Sequence, residues 1–332
     1  MKNDESEVIA DTLNGMVSTF GEMKKEDIPD PVIIFGGWLN ENDACLIHAP
    51  AGVGKSWFSM SVACSIAGSG GFARWRCDDA RDVYYVDGEM GARTLLDMAV
   101  TSCGAVRADV GLVDKNLHIC TDRGSDDEVM DLCDPIWQSA ILDMVYGKNA
   151  VIILDNIRTL FFLEDENSAE SWGIVNSFIK RLRKIATLIL IHHDKKSGGF
   201  SGSGAAETLV NTRVQLSARE DTGNLDGCGA VFGVSFEKVR SEVTAAHDYR
   251  VIGLHPSNGW VEMSDWANQF EIAVQLARTG NYSSQMALAK EMGVTRSKLS
   301  KVLRKFDSGG TVKDLLKVDI SDVGMTFPVA CL

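Results

Sequence analysis

The segment APAGVGKS, at positions 49–56, has the residue types and spacing that hold a phosphate chain. The backbone N–H groups around its two glycines can wrap a phosphate because few side chains intrude, and a following helix adds its positive dipole end. Lys55 would reach the outer phosphates, and the Ser56 hydroxyl would ligate Mg²⁺. Ala49 stands where such a loop usually has its first glycine. We therefore predict ATP and Mg²⁺ as ligands, with a binding set of Ala51, Gly52, Val53, Gly54, Lys55, Ser56 and Trp57.

Two carboxylates follow apolar runs that predict buried strands. Asp155 ends the run AVIILD (150–155), an arrangement that carries an acid to Mg²⁺ through water. Glu89 follows the run VYYVD (83–87). Because parallel strands deliver their carboxyl ends to one sheet edge, Glu89 can orient and deprotonate an attacking water there. Asp87 is the competing base.

Two histidines, His192 and His193, end the run TLILIHH (187–193) at the same predicted edge. A neutral imidazole there can hydrogen-bond the outermost phosphate and sense its loss. The Gly/Ser-rich stretch 198–204 follows, and a hinge-like loop could turn hydrolysis into motion. The pattern does not distinguish the two rings. It also fits two histidines that only form structural hydrogen bonds at the edge of the core.

The elements that must position these groups follow from the hydrophobic pattern. Near-continuous β-branched runs alternate with helical patterns, which indicates a parallel sheet covered on both faces and an α/β fold of the doubly wound kind. The predicted strands are 45–49, 83–87, 117–121, 150–155 and 187–193, and the predicted helices are 57–68, 135–147 and 171–186. Three later strands, predicted at 214–218, 230–239 and 249–255, would close the sheet in antiparallel fashion.

Composition and charge narrow the class of protein. A chain of 332 residues allows about two domains. It has no run of 18 apolar residues, and its acidic N-terminus lacks the apolar core of a secretory signal, so we expect a cytoplasmic protein with no membrane contact. The net charge of −13 argues against a surface coated for nucleic acid. Residues 268–317, however, carry nine Lys/Arg and four Asp/Glu.

This basic C-terminal segment resembles a winged helix-turn-helix. Its second helical pattern has one apolar face at positions 299, 302, 303 and 306, and Gly309-Gly310 would begin a β-hairpin wing. The basic residues on the other faces suit contacts with phosphates and a DNA groove. They are Arg296, Lys298, Lys301, Arg304 and Lys305. A protein-docking module or a solvated helix face fits the same pattern.

The order of the motifs resembles the RecA-type ATPases, and most closely the RepA-type hexameric replicative helicases of plasmids and phages. The matching segments, between residues 30 and 260, are APAGVGKS, YVDGEM, VIILDNIRTLFFLEDENSAESWG, LILIHHDKKSGG and GSGAAETLVNTRVQLSA. The paired histidines with their Gly/Ser loop and the late N-x-R are the more specific part. The resemblance implies a RecA-like core and a nucleotide site between neighbouring subunits of a ring.

In that family, basic residues reach across the interface to the outermost phosphate. Arg213 in VNTRVQLS is similar to one such finger, and Lys238 and Arg240 in FEKVR resemble an alternating finger pair. Plain surface charge on an edge strand is the alternative for each. The sequence departs from the family after the histidine loop, where Ser201-Gly202-Ser203-Gly204 replaces Arg-Gly-Ser. Only Lys195 and Lys196 supply charge there.

The resemblance implies an ATP-dependent, ring-forming DNA helicase that acts in replication. Its partners would be further copies of the chain in a hexameric ring, single-stranded DNA, and duplex DNA or replication proteins at the winged helix. We expect an acidic arm over 1–30, a RecA-like ATPase domain over 31–262 and the winged helix-turn-helix over 268–332. Two alternatives are a recombination or loader ATPase on single-stranded DNA and an ATP-gated DNA-binding regulator.

Overall fold

The computed structural model of the chain describes residues 2–121, 129–163, 169–194, 210–219, 225, 227–263, 273–274, 284–292 and 295–305. The chain divides into two compact units, Met1–Val32 and Ile33–Leu332. The first unit holds helices α1 (Lys2–Gly15) and α2 (Phe20–Met23). Helix α2 begins at a capping box, in which the Thr19 side chain accepts from the backbone N–H of Glu22 and the Glu22 carboxylate accepts from the backbone N–H of Thr19.

The strands of the second unit form one large sheet and two small hairpins. The hairpins pair β1 (Ile33–Phe35) with β2 (Leu39–Asn40) and β4 (Gly71–Phe72) with β5 (Trp75–Arg76). The nine strands of the large sheet are β3 (Ala44–Ala49), β6 (Val83–Asp87), β7 (Leu117–Cys120), β8 (Val151–Asp155), β9 (Thr187–His193), β10 (Thr212–Ala218), β11 (Ala230–Val239), β12 (Arg250–His255) and β13 (Gly259–Glu262).

Helices connect and cover these strands. They are α3 (Lys55–Ala67), α4 (Ala92–Ala105), α5 (Val110–Asn116), α6 (Pro135–Val145), α7 (Ile157–Leu160), α8 (Ala169–Leu182), α9 (Gln285–Glu291) and α10 (Arg296–Lys305). The strands and long helices predicted from the hydrophobic pattern are confirmed within a few residues. Helices α4 and α5, the two hairpins and β13 were not predicted.

The sheet order is β13-β12-β11-β10-β3-β9-β8-β6-β7. The six strands from β10 to β7 run parallel to their neighbours, and β11 to β13 form an antiparallel extension. The predicted α/β class with a mostly parallel sheet is confirmed. The all-antiparallel assignment of the late strands is wrong for β10, which pairs in parallel with β3. Residues 194–211 supply the dozen or more residues that a parallel crossover requires.

Both faces of the parallel part are covered by helices, as the near-continuous apolar strands predicted. On one face, Phe58 of α3 and Leu95 of α4 pack with Ile47 of β3. On the other, Ile141 of α6 and Phe178 of α8 belong to a second apolar core. Alternate residues of each strand thus enter opposite cores, which fixes the register of the sheet and the level at which the strands end.

A third, smaller core joins the last described helices to the antiparallel extension. Leu288 of α9 and Leu299 and Leu303 of α10 are buried together with Val251 of β12. Two positions of the predicted apolar face of α10, Leu299 and Leu303, are therefore buried in this core. The wing predicted at 309–310 and the turn predicted at 293–294 lie outside the described residues. Over the described ranges, no helix is long and apolar enough to cross a membrane.

Candidate nucleotide site

The loop at positions 50–54 connects β3 to α3, so the predicted strand–loop–helix order is present. Gly52 and Gly54 have φ angles of 80° and 119°, which side chains rarely tolerate. A Cβ at Gly54 would also lie 2.8 Å from Phe232, whereas Gly52 faces open space. Along the predicted binding set, Ala51 and Gly52 are exposed, Val53 and Lys55 are buried, and Gly54, Ser56 and Trp57 are half-buried.

Lys55 lies in the first turn of α3, and its side chain turns back toward the start of the loop. Its ammonium donates to the carbonyl oxygens of Ala49 and Pro50, each at 2.9 Å, and lies 3.1 Å from Nδ1 of His193. Burial lowers the pKa of Lys55, and neighbouring carboxylates, led by Asp155, oppose that shift. The charge is thus held between the loop and the end of β9.

Asp155, the last residue of β8, meets the start of α3. It accepts a hydrogen bond from the Ser56 side chain and one of 2.5 Å from the Tyr85 hydroxyl, which lies 2.9 Å from Oγ of Ser59. Burial raises the pKa of Asp155, and the hydrogen bonds from Tyr85 and Ser56 lower it. Burial and Asp155 raise the pKa of Tyr85, so the phenol remains a donor.

The pair of Ser56 and Asp155 fits the predicted metal site. Hydroxyl and carboxylate oxygens are suitable ligands for Mg²⁺, and this ion usually keeps water and phosphate oxygens as its other ligands. The part of the chain that the structure describes contains no group of three or more His, Cys, Asp or Glu residues placed to hold a metal. The site therefore suits an ion that binds together with a nucleotide better than an ion coordinated entirely by protein side chains.

Glu89 lies beside His193 at the carboxyl edge of the sheet, as predicted, and Asn156 joins them. The Asn156 amide donates to Oε2 of Glu89 at 2.7 Å, and its nitrogen is 3.2 Å from Nε2 of His193. The distance between Nε2 of His193 and Oε2 of Glu89 is 3.6 Å. Sequence reasoning missed Asn156, although its position directly after Asp155 places it at the same edge.

Asp87 and Glu89 have different surroundings. Asp87 is buried, and its Oδ1 accepts from the backbone N–H groups of Glu89 at 2.9 Å and Met90 at 2.5 Å. Burial raises the pKa of Asp87 to about 6. Its Oδ2 is buried without a hydrogen-bond partner in the described part of the chain. Asp87 therefore shapes the turn, and the Glu89 side chain, 55% exposed, is the accessible carboxylate.

The two histidines point to opposite faces of β9, as successive strand residues do. His192 is 2% exposed and packs edge-on against Trp172, with ring centroids 5.7 Å apart. His193 faces Lys55 and Glu89. The structure thus distinguishes the two rings that the sequence left equivalent, because it brings His193 and not His192 to these residues.

The chain matches the family described as the AAA domain (AAA_25) over residues 10–199, more than half of its length. The chain belongs to this family. It is a P-loop ATPase, with the phosphate loop and the strand-end acid of that class. This AAA-domain ATPase is also similar to the solved structure of a KaiC-like protein from the hyperthermophilic archaeon Pyrococcus horikoshii OT3. The identity is 17% over 70% of this chain and 94% of the other, and the TM-score is 0.48. No curated protein sequence matches the chain.

The three basic residues predicted as fingers lie on the antiparallel side of the ATPase. Arg213 of β10 is opposite Lys238 of β11, and Arg240 follows that strand. The Nε atom of Arg213 is 2.8 Å from Oε2 of Glu237. The structure thus places Arg213 and Lys238 on two adjacent strands, and Arg240 directly after the second. The predicted DNA-loop residues 195–204, with Lys195 and Lys196, lie outside the described part of the chain.

Proposed function

We propose that the protein hydrolyses ATP to ADP and phosphate at the loop 49–56. The observation that carries this proposal is the convergence of two groups of side chains at the carboxyl edge of the sheet. Ser56 and Asp155 meet on one side of the loop, and Glu89 and His193 meet on the other. Nucleophile activation and charge neutralisation are the two requirements of phosphoryl transfer to water.

The loop and α3 bind and orient the phosphates. Backbone N–H groups at Gly52 to Gly54 and the N-terminus of α3 favour the negative phosphate chain. The Lys55 ammonium neutralises charge as it develops on the outer phosphates. Ser56, and Asp155 through water, would hold Mg²⁺, which would supply positive charge to neutralise the phosphates. Tyr85 holds the Asp155 carboxylate toward Ser56 with its short hydrogen bond.

Glu89 orients the attacking water and takes its proton. The Asn156 amide fixes the Glu89 carboxylate, and Asp87 fixes the backbone beneath it. As the water oxygen bonds to phosphorus, the bond to the ADP oxygen breaks and the water proton moves to Glu89. His193, in contact with Lys55 and Asn156, is placed to report loss of the outermost phosphate to the end of β9.

We further propose that the ATPase works as a ring-forming DNA helicase of the RepA-like kind, in which Arg213, Lys238 or Arg240 completes the site of the neighbouring subunit. The order of the motifs along the chain supports this proposal. So does the charge distribution, because Arg296 and Lys301 are exposed on α10 of an otherwise acidic chain. Single-stranded DNA would bind within the ring, and the C-terminal helices would contact duplex DNA or a replication protein.

The test compares the wild type with Lys55→Ala and a matched control, Lys148→Ala. Lys148 is exposed and donates to the Tyr84 hydroxyl, away from the loop. ATP turnover and displacement of a labelled strand from forked DNA are measured together. We expect both activities in the wild type and the control, and neither in Lys55→Ala. Turnover stimulated by single strands without displacement would favour the loader alternative, and stimulation by one duplex sequence would favour the regulator.

A further inference from the structure

His48, near the end of β3, is a buried histidine with an acid on each side. It is 1% exposed, its Nδ1 lies 2.7 Å from Oδ1 of Asp194, and its Nε2 lies 3.0 Å from Oε2 of Glu237. Each ring nitrogen of an imidazole can donate or accept a hydrogen bond, so the two nitrogens can engage two separate carboxyl groups. The ring of His48 therefore bridges an acid that directly follows β9 and an acid on β11.

The contacts continue beyond Glu237. The same oxygen, Oε2, lies 2.8 Å from Nε of Arg213. A charged chain is thus formed by Asp194, directly after β9, His48 of β3, Glu237 of β11 and Arg213 of β10, and these four strands lie together in the sheet. Both Asp194 and His48 have 2% of their side-chain surface exposed. Removing one member of the His48–Asp194 pair would therefore leave a buried charge uncompensated. Glu237 and Arg213 are more exposed, with 29% and 19% of their side-chain surfaces accessible, and they form an ion pair.

The two ends of this charged chain reach different functional elements. Asp194 directly follows His193, and its backbone N–H donates to the carbonyl oxygen of Ala49 at 3.0 Å. That oxygen also accepts from Lys55, so this end is attached to the phosphate loop. The other end is Arg213, one of the residues that we propose to act on the neighbouring subunit.

We propose that His48 is a positioning residue that ties Arg213 to the end of β9. A shift of His193 when phosphate leaves one site would then change how Arg213 is presented to the next site. This inference rests on the proposed function, since it takes Arg213 to act in trans. It assigns no contact with nucleotide to His48 itself.

The experiment mixes two impaired variants and measures ATP turnover. His48→Gln keeps its own phosphate loop but cannot bridge both acids, and we expect its turnover to fall about tenfold, as for other coupling residues. Its affinity for an ATP analogue should stay within about twofold of the wild type, because no nucleotide contact is lost. Lys55→Ala has an inactive loop but an intact Arg213. In an equimolar mixture about a quarter of the interfaces join two intact halves, so turnover should recover toward that fraction.

Three further variants make the outcome decisive. Glu237→Gln breaks the charged chain at its other acid and should repeat the loss and the recovery. His118→Gln is the matched control. His118, on the edge strand β7, pairs with Asp82, so we expect this variant to keep full turnover. If Arg213→Ala recovers with Lys55→Ala but His48→Gln does not, then His48 acts within its own subunit and the inference is overturned. If Arg213→Ala fails to recover as well, Arg213 does not complete the neighbouring site and the inference is overturned, whereas the proposed function still has Lys238 and Arg240 as candidates.

Discussion

Lys55, at the start of α3, contacts His193, at the end of β9, with 3.1 Å between Nζ and Nδ1. In the register of the sheet, Ala49 at the end of β3 is opposite His193 at the end of β9. The residue that would neutralise the outer phosphates therefore contacts the last residue of β9. We expect a change in what Lys55 binds to reach His193 first, because their side chains are in contact.

The two histidines should respond differently to substitution. His193→Gln should lower ATP turnover with little change in thermal stability, because the ring lies beside Lys55 and Glu89 and is partly exposed. His192→Gln should lower the unfolding temperature with a smaller effect on turnover, because it disturbs the packing against Trp172. Turnover and thermal unfolding of both purified variants check this. A loss of turnover in His192→Gln alone would reverse the assignment.

Asp87 should make stability depend on pH in the acid range. Burial raises its folded pKa to about 6 from an ordinary value of 3.8. Since the folded chain then binds the proton more tightly, the stabilisation by this group is present at pH 4 and is lost as pH rises through 6. The free energy of unfolding of the wild type, relative to Asp87→Asn, should therefore fall between pH 4 and pH 6.

Urea unfolding of both proteins at several pH values measures that difference. Asp97→Asn is a suitable control, because Asp97 is an exposed carboxylate in an ion pair with Arg93 on α4. Its free energy of unfolding should follow that of the wild type across the range. A constant difference between the wild type and Asp87→Asn would show that Asp87 is ionised equally in the folded and unfolded chains.

The exposed basic residues of α10 should contribute to DNA affinity. Replacing Arg296 and Lys301 with Gln removes two charges without touching the buried Leu299 and Leu303. If each contacts a phosphate, the slope of log affinity against log salt should become shallower by about 2. Arg93→Gln on α4 is the control and should leave the slope unchanged. An unchanged slope in the double variant would instead indicate that α10 docks a protein.

The phosphate loop could be predicted from the sequence because its information is local. Two glycines, a lysine and a serine at fixed spacing, between an apolar strand and a helix, specify one geometry. Asp155 and Glu89 were also predictable, since the carboxyl ends of parallel strands share an edge. Arg213 was assigned by resemblance, and its contact with Glu237 came only from the structure.

Other parts depend on which strands become neighbours, and no local pattern carries that information. His48 lies between Asp194 and Glu237 because of the strand order. β3 is located between β9 and β10, and β11 pairs with the other edge of β10. The parallel pairing of β10 was missed for the same reason. Tyr85 was missed although it lies on the same face of β6 as Asp87, because an alternating strand pattern does not identify the partner of a buried hydroxyl.

The most direct test of the proposed chemistry is the nucleotide found on Glu89→Gln after incubation with ATP and Mg²⁺. The substitution removes the base and little volume, so ATP should still bind while turnover falls by about 10² to 10⁴. We expect rapid-quench analysis to find unhydrolysed ATP on this variant and ADP on the wild type. ADP formed at close to the wild-type rate on Glu89→Gln would contradict the account and make Asp87 the next candidate for the base.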